Sequence, residues 1–206
     1  METNKLWSTK KAIVLAAVCL MAGIGGGWLI HGPQAAAGRA SAPAAALQAS
    51  TVQAPDAKPP QLKEMADAKA APLVQKLKSD PENPELLIGI GNIYYDAQQY
   101  AEATDYYNHA LKIVPANAAV RTDMATAYWF LGKTDQSIAE FDRALSYEPN
   151  NPNALFNRGI AKWKGKQDGA GALADWQKLL AVAPNFPEKE QVQERIAEVK
   201  KQAAKP

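Results

Sequence analysis

The sequence predicts an all-α solenoid of stacked helical hairpins behind one hydrophobic N-terminal helix. Four prolines recur at intervals of 34, 34 and 35 residues: Pro81, Pro115, Pro149 and Pro184. Three large aromatic residues recur every 34 residues: Tyr95, Trp129 and Trp163. Between the prolines, apolar residues return at helical spacing in two segments per period. A fixed period of this length with two helices per repeat is typical of a helical repeat array, which buries its core between stacked hairpins.

Composition excludes several classes of function. Lys and Arg number 23 against 21 Asp and Glu in 206 residues, which gives a formal net charge of only +2. Nucleic-acid binding requires a concentrated basic face, so we expect no nucleic-acid partner. The single cysteine, Cys19, allows no disulfide within the chain and no cysteine pair for a metal. We therefore expect no metal and no cofactor.

Residues 12–30 form a continuous apolar run of 19 residues that is long enough to cross a bilayer as a helix. Lys5, Lys10 and Lys11 precede this run, whereas Arg39 alone follows it closely. This asymmetry predicts a transmembrane signal-anchor with residues 1–11 in the cytoplasm. The rest of the chain would then lie in the periplasm of a bacterium, attached to the inner membrane. The alternative is a signal peptide cleaved near the small residues 35–37, which would release the chain into the periplasm.

Residues 31–61 are rich in Ala, Pro, Ser and Gln and show no apolar periodicity, which predicts a flexible linker. Helical spacing begins in residues 62–80, where the apolar positions are Leu62, Met65, Leu73, Val74 and Leu77. We expect Pro72 to kink or split this leading helix, because proline removes a backbone donor. The segment would act as a half-repeat that covers the N-terminal end of the stack.

Residues 83–185 contain three repeats, each with a first helix, A, and a second helix, B. In the first repeat, Asn83 is a good N-cap and Pro84 suits the first helical position. One face of helix A carries Leu87, Ile90, Gly91 and Tyr94, and the matching face of helix B carries Ala103, Tyr107 and Ala110. This order of large, small and aromatic residues, closed by Pro115, resembles the tetratricopeptide repeat.

The second and third repeats depart from this pattern at a few positions. Arg121 replaces a large apolar residue, and we expect it to be half exposed. The third repeat holds one extra residue in its turn, between Gly165 and Gly171, which leaves the register of its helix B open. Beyond it, residues 187–203 carry one apolar stripe and one charged face, the pattern of a helix that caps a stack.

The layout of residues 71–199 further resembles the periplasmic tetratricopeptide proteins of c-type cytochrome maturation, the haem-lyase accessory subunits. The resemblance rests on the segments DPENPELLIGIGNIYY and ALADWQKLLAVAPNFP, the leading half-repeat and the final charged helix. It implies that the groove holds the C-terminal helix of an apocytochrome c and presents it to the haem lyase. Apocytochrome c and lyase subunits are thus the implied partners.

Stacked hairpins of this kind place their A helices along one concave side. Residues rotated away from the packing face should line that groove and bind a helical or extended segment of another protein. These residues are Ile88, Asn92 and Tyr95, with Asp96 beside them, in the first repeat, Thr122, Thr126 and Trp129 in the second, and Phe156, Ile160 and Trp163 in the third. The alternative is that Trp129, Phe156 and Trp163 belong to the core between repeats.

Other functions receive less support from the sequence. Some tetratricopeptide proteins clamp a C-terminal carboxylate with Lys and Arg, but Ile88, Asn153 and Asn157 occupy the comparable places here. We therefore do not expect that mode of binding. His109 is the only histidine of the repeats and has no triad partner that the sequence defines, so no catalytic residue is predicted. A scaffold that organises an envelope complex by self-association is the alternative to a client-binding adaptor.

Overall fold

The computed structural model describes residues 59–204. Within them, all regular structure is helical, which confirms the all-α repeat fold. The eight α-helices, numbered here in chain order, are α1 Pro59–Leu77, α2 Pro84–Asp96, α3 Tyr100–Ile113, α4 Ala118–Phe130, α5 Thr134–Tyr147, α6 Pro152–Ile160, α7 Gly169–Val182 and α8 Lys189–Ala203. Helices α2, α4 and α6 are the A helices, and α3, α5 and α7 are the B helices.

The predicted N-terminus, anchor and most of the linker, residues 1–58, lie outside the described residues. None of the described helices is long and apolar enough to span a bilayer.

An asparagine directly precedes and caps each A helix. The side-chain oxygens of Asn83, Asn117 and Asn151 accept hydrogen bonds from the backbone N–H three residues later, at 3.1, 3.1 and 3.0 Å. Each of these bonds satisfies one of the N–H groups that a helix leaves unpaired at its start. The turn after each A helix contains a residue of positive φ, at Gln98, Gly132 and Gln167. The recurrence of caps and turns therefore has a local chemical cause in every repeat.

Helix α1 differs from the prediction in its bounds and in its buried face. It begins at Pro59 and ends at Leu77, so three residues assigned to the linker belong to it. It also continues through Pro72 without a break. Ala66 and Ala70 are its fully buried residues, whereas Met65 is 62% exposed. Small side chains let α1 approach α2 closely, and the Tyr94 hydroxyl donates a 2.8 Å hydrogen bond to Asp67 across this contact.

The core consists of two clusters of buried apolar side chains. One joins α1, α2 and α3 to the first half of α4. The other extends from α4 through α7 to Phe186 and α8. Gly159 illustrates how closely A and B helices approach, because a Cβ atom there would lie 2.3 Å from the Trp176 indole nitrogen. The aromatic residue of helix B thus fills the space that the glycine of helix A leaves empty.

A π-helical turn, Ala161–Gly165, absorbs the extra residue of the third repeat. This turn continues α6, and α7 begins after it at Gly169. Ala172 and Trp176 are fully buried in α7, at the places that Ala103 and Tyr107 occupy in α3. The insertion is therefore confined to the end of helix A and leaves the register of helix B intact.

Arg121 is buried, with 8% of its surface exposed, which corrects the expectation that it is half exposed. Its guanidinium donates a 2.6 Å hydrogen bond to Glu140 on α5 and a 2.8 Å hydrogen bond to the carbonyl oxygen of Pro115. Arg143 donates to the other carboxylate oxygen of Glu140. A charge can replace the usual apolar residue here because its partner lies on the neighbouring helix.

Candidate functional site

The nine predicted groove residues of the A helices differ widely in their exposure to solvent. In the first repeat, Asn92 is exposed, and Ile88 and Tyr95 are half-buried. In the second repeat only Trp129 keeps a half-exposed side chain. These four residues lie on α2 and α4 and are accessible to a partner.

Thr122 and Thr126 belong to the interior of the stack, with 1% and 0% of their surface exposed. Each hydroxyl donates to the carbonyl oxygen four residues earlier, at 2.8 and 2.9 Å. The Asn157 amide of α6 donates a 3.3 Å hydrogen bond to the Thr126 hydroxyl. The neighbouring A helix therefore covers these side chains, and their prediction as groove residues is corrected.

Phe156, Ile160 and Trp163 are also core residues, with exposures of 0%, 4% and 7%. The Phe156 ring packs against Phe186, with centroids 5.5 Å apart. Trp163 lies edge-on to Trp176 of α7 at 5.6 Å, within the π-helical turn. A π turn rotates the chain less per residue than an α turn, so the side chains after Ile160 depart from the helical register that the sequence predicted. The core alternative is correct for Phe156 and Trp163.

Beside the accessible A-helix residues lies a polar cluster of α2 and α4, which we call the α2–α4 notch. It consists of Asn92, Tyr95, Asp96 and Asp123. Asn92 accepts a 2.7 Å hydrogen bond from the hydroxyl of Tyr107, which lies on α3. The Tyr95 ring lies edge-on to Tyr100, with centroids 5.5 Å apart. Asn92 and Tyr95 are thus held by aromatic residues of the adjacent B helix, α3.

Asp123 is the residue of this notch that the sequence analysis missed. Its side chain is half-buried, and burial, together with the nearby charge of Asp96, raises the pKa of its carboxyl to about 7. Burial also raises the pKa of the Tyr95 hydroxyl well above its usual range, and the charge of Asp123 adds to this effect. The signal in the sequence was a lone carboxylate near the start of the otherwise uncharged stretch between Thr122 and Phe130.

A second set of charges, between α6 and α7, serves the packing of the third repeat. Asp175 is 4% exposed and accepts hydrogen bonds from Arg158 at 2.9 Å and Lys162 at 3.0 Å. Arg158 also reaches Asp142 on α5 at 2.7 Å. Arg158 and Lys162 therefore have partners within the stack and are not available to a ligand. Among residues 59–204, no group of three or more His, Cys, Asp or Glu is placed to hold a metal ion.

Two models of the tetratricopeptide repeat match the chain, over residues 68–118 and residues 94–155. The Protein CTR9 homolog of Arabidopsis thaliana is 32% identical over 41% of this chain and 8% of its own length. RNA polymerase II-associated protein 3 of Xenopus tropicalis is 32% identical over 46% of this chain and 14% of its own length. The chain thus spans a small fraction of the curated relatives that it matches.

The fold has a counterpart among solved structures. The first tetratricopeptide domain of Spaghetti (RPAP3), solved with the HSP90 peptide SRMEEVD, superimposes with a TM-score of 0.55 at 24% identity, over 59% of this chain and 94% of that domain. These relatives do not support the resemblance to haem-lyase accessory subunits. Repeat spacing and the two family models indicate tetratricopeptide repeats over residues 68–155, and the solved domain shows that the helical array shares that fold.

Proposed function

We propose that this protein is an adaptor that binds a helical or extended segment of another polypeptide across α2 and α4. The observation that carries the proposal is the accessibility of Ile88, Asn92, Tyr95 and Trp129 on adjacent A helices, whereas the equivalent positions of α6 are buried. Half-buried aromatic and aliphatic groups beside hydrogen-bonding groups are typical of surfaces that bind peptides. The match to tetratricopeptide repeats, which are protein-interaction modules, supports the same conclusion.

Site-specific photo-cross-linking tests this proposal in cells that produce the full-length chain. A benzophenone amino acid replaces Ile88 or Trp129 on the proposed surface, and His109, an exposed residue of α3, provides the control position. We expect positions 88 and 129 to capture a discrete protein that position 109 does not capture. Cross-links of equal yield at all three positions would contradict the proposal. Cross-links only between copies of this chain would instead support the scaffold alternative.

An apocytochrome c client is the finer proposal that follows from the resemblance to haem-lyase accessory subunits. It predicts that cells without this protein lose covalently bound haem from their c-type cytochromes. Haem staining of separated membrane proteins measures this loss. Normal staining in the deletion strain would exclude this client and leave the adaptor proposal unaffected.

Membrane attachment and a periplasmic location are further proposals, supported by the apolar run of residues 12–30 and the lysines before it. Alkaline carbonate extraction should leave the chain in the membrane fraction. Protease added to spheroplasts should digest the repeats and spare cytoplasmic proteins. Release of a shortened chain by carbonate would instead support the cleaved signal peptide.

A further inference from the structure

The two ends of the helical stack differ in the chemistry of their outer faces. The side of α8 that points away from the core carries the exposed residues Glu190, Glu194 and Lys201. The repeats of a solenoid contact only their neighbours, so an end that meets water needs a polar outer face. Helix α8 meets this requirement, whereas α1, at the other end, does not.

The outer face of α1 lies opposite the buried Ala66 and Ala70, which pack towards α2. It consists of Glu64, Met65, Ala68, Ala71, Pro72 and Gln75, all of them exposed. Met65 is 62% exposed, the highest value for a large hydrophobic side chain in residues 59–204. Only Glu64 in this set is charged. The first helix of the stack therefore presents a largely uncharged side that no described element covers.

The spacing of residues on this face suits a second helix. Four of them, Glu64, Ala68, Ala71 and Gln75, recur at intervals of four, three and four residues. This spacing keeps them in one stripe along the helix. Alanine at the two central positions lets another helix approach closely, because the distance between packed helices depends on the side chains at the contact. Met65 lies beside the stripe, and its flexible side chain can adapt to a partner.

The charges of α1 complement those of a second α1 that runs in the opposite direction. Glu64 lies near the start of α1 and Lys76 in its last turn, and both are exposed. A two-fold axis between Ala68 and Ala71 brings Glu64 of each copy close to Lys76 of the other, because both residues lie at similar distances from the axis along the helix. Neither residue forms an ion pair within residues 59–204. A foreign partner needs no such match, so this two-fold pattern favours a second copy of the chain.

We infer that α1 binds α1 of a second copy of this chain in an antiparallel pair. Met65, Ala68 and Ala71 form the centre of the contact, and Glu64 and Lys76 form an ion pair at each end. The same face contacts itself, so the assembly closes at two copies and does not extend into a filament. The outer face of α1 points away from α2, so the dimer carries two accessible copies of the partner-binding surface proposed above.

Charge reversal tests this contact in the full-length chain, by sedimentation equilibrium in a density-matched mild detergent. The variants are Glu64→Lys, Lys76→Glu and the double variant with both changes. Asp105→Lys and Lys112→Glu on α3 are the matched controls, because both residues are exposed and each substitution makes the same change of charge outside α1. Circular dichroism verifies that every variant keeps the helical content of the wild type.

We expect the wild-type chain to dimerise. Each single reversal in α1 should raise the dissociation constant of the dimer about tenfold or more, because like charges then meet at both ends of the contact. The double variant should return to within about threefold of the wild type, because opposite charges again face each other. The two controls should change the constant by less than about twofold.

Three results would overturn the inference. One is a wild-type chain that stays monomeric at every soluble concentration. Another is a dimer that neither single reversal weakens, as expected if residues 12–30 held the two copies together. The third is a double variant that dimerises no more tightly than the single variants. None of these results bears on the adaptor proposal, which concerns α2 and α4.

Discussion

Substitution of Gly159 by alanine tests the packing that defines the third repeat. A Cβ atom at this position would lie 2.3 Å from Nε1, 2.7 Å from Cε2 and 2.8 Å from Cδ1 of Trp176. The indole is fully buried and donates a 3.1 Å hydrogen bond to the carbonyl oxygen of Phe156. It also lies edge-on to Trp163. The ring therefore has no free direction in which to move.

The expected loss of stability combines three effects. Overpacking a tight core costs about 1–3 kcal/mol. Loss of the buried hydrogen bond of Trp176 adds about 1 kcal/mol. Alanine is a better helix former than glycine by about 1 kcal/mol, which partly offsets these costs. We therefore expect Gly159→Ala to lower the free energy of unfolding by about 2 kcal/mol.

Gly89→Ala is the matched control, because it makes the same chemical change on another A helix. Its Cβ would contact only the flexible end of Leu73, at 3.3 Å. The gain in helix propensity should then leave this variant as stable as the wild type or up to about 1 kcal/mol more stable. Urea unfolding of the full-length proteins, followed by circular dichroism and tryptophan fluorescence, measures both. Equal destabilisation by the two substitutions, or none by Gly159→Ala, would refute the account of the helix contact.

Three further outcomes are expected. Trp129→Ala should weaken binding of a cross-linked partner. Because Trp129 is only partly buried against the core, it should cost less stability than Trp163→Ala, which should lower the free energy of unfolding by about 3 kcal/mol. The raised pKa of Asp123 means that the folded chain holds a proton that the unfolded chain releases between about pH 4 and pH 7. Stability should therefore fall as pH rises through this range, and Asp123→Asn should abolish this fall in a series of urea midpoints. Gln98→Gly should raise the thermal midpoint, with a gain of about 1 kcal/mol, since Gln98 has a φ of 59° and Gly132 occupies the equivalent turn.

The repeat architecture could be predicted because its signals are local. Asn83 caps α2, and Pro115 lies just beyond the end of α3. Both effects depend only on residues close by in the sequence. Apolar spacing also identified Leu87, Ile90, Gly91 and Tyr94 as the packing face of α2, and all four are buried. Such features depend on the chain within a few residues and are readable one helix at a time.

The burial of the A-helix residues could not be predicted in the same way. Sequence spacing gives the side of a helix on which a residue lies, but it does not give what covers that side. Phe156 is buried because Phe186, thirty residues later, packs against it. Arg121 is buried because Glu140 lies opposite on another helix. In both cases the residue that covers the side chain lies on another part of the chain. The spacing of apolar residues within one helix therefore cannot predict the burial.

The burial of the α6 positions also limits the length of the segment that α2 and α4 can bind. Helix α2 has 13 residues and is about 20 Å long at about 1.5 Å per residue. Adjacent packed helices lie about 8–10 Å apart. An extended chain rises about 3.3 Å per residue, so roughly six residues span the accessible length of one A helix. Because the predicted groove positions of α6 are core residues, a partner gains no contact from Phe156, Ile160 or Trp163. We therefore expect partner peptides truncated to about six residues to keep most of their affinity.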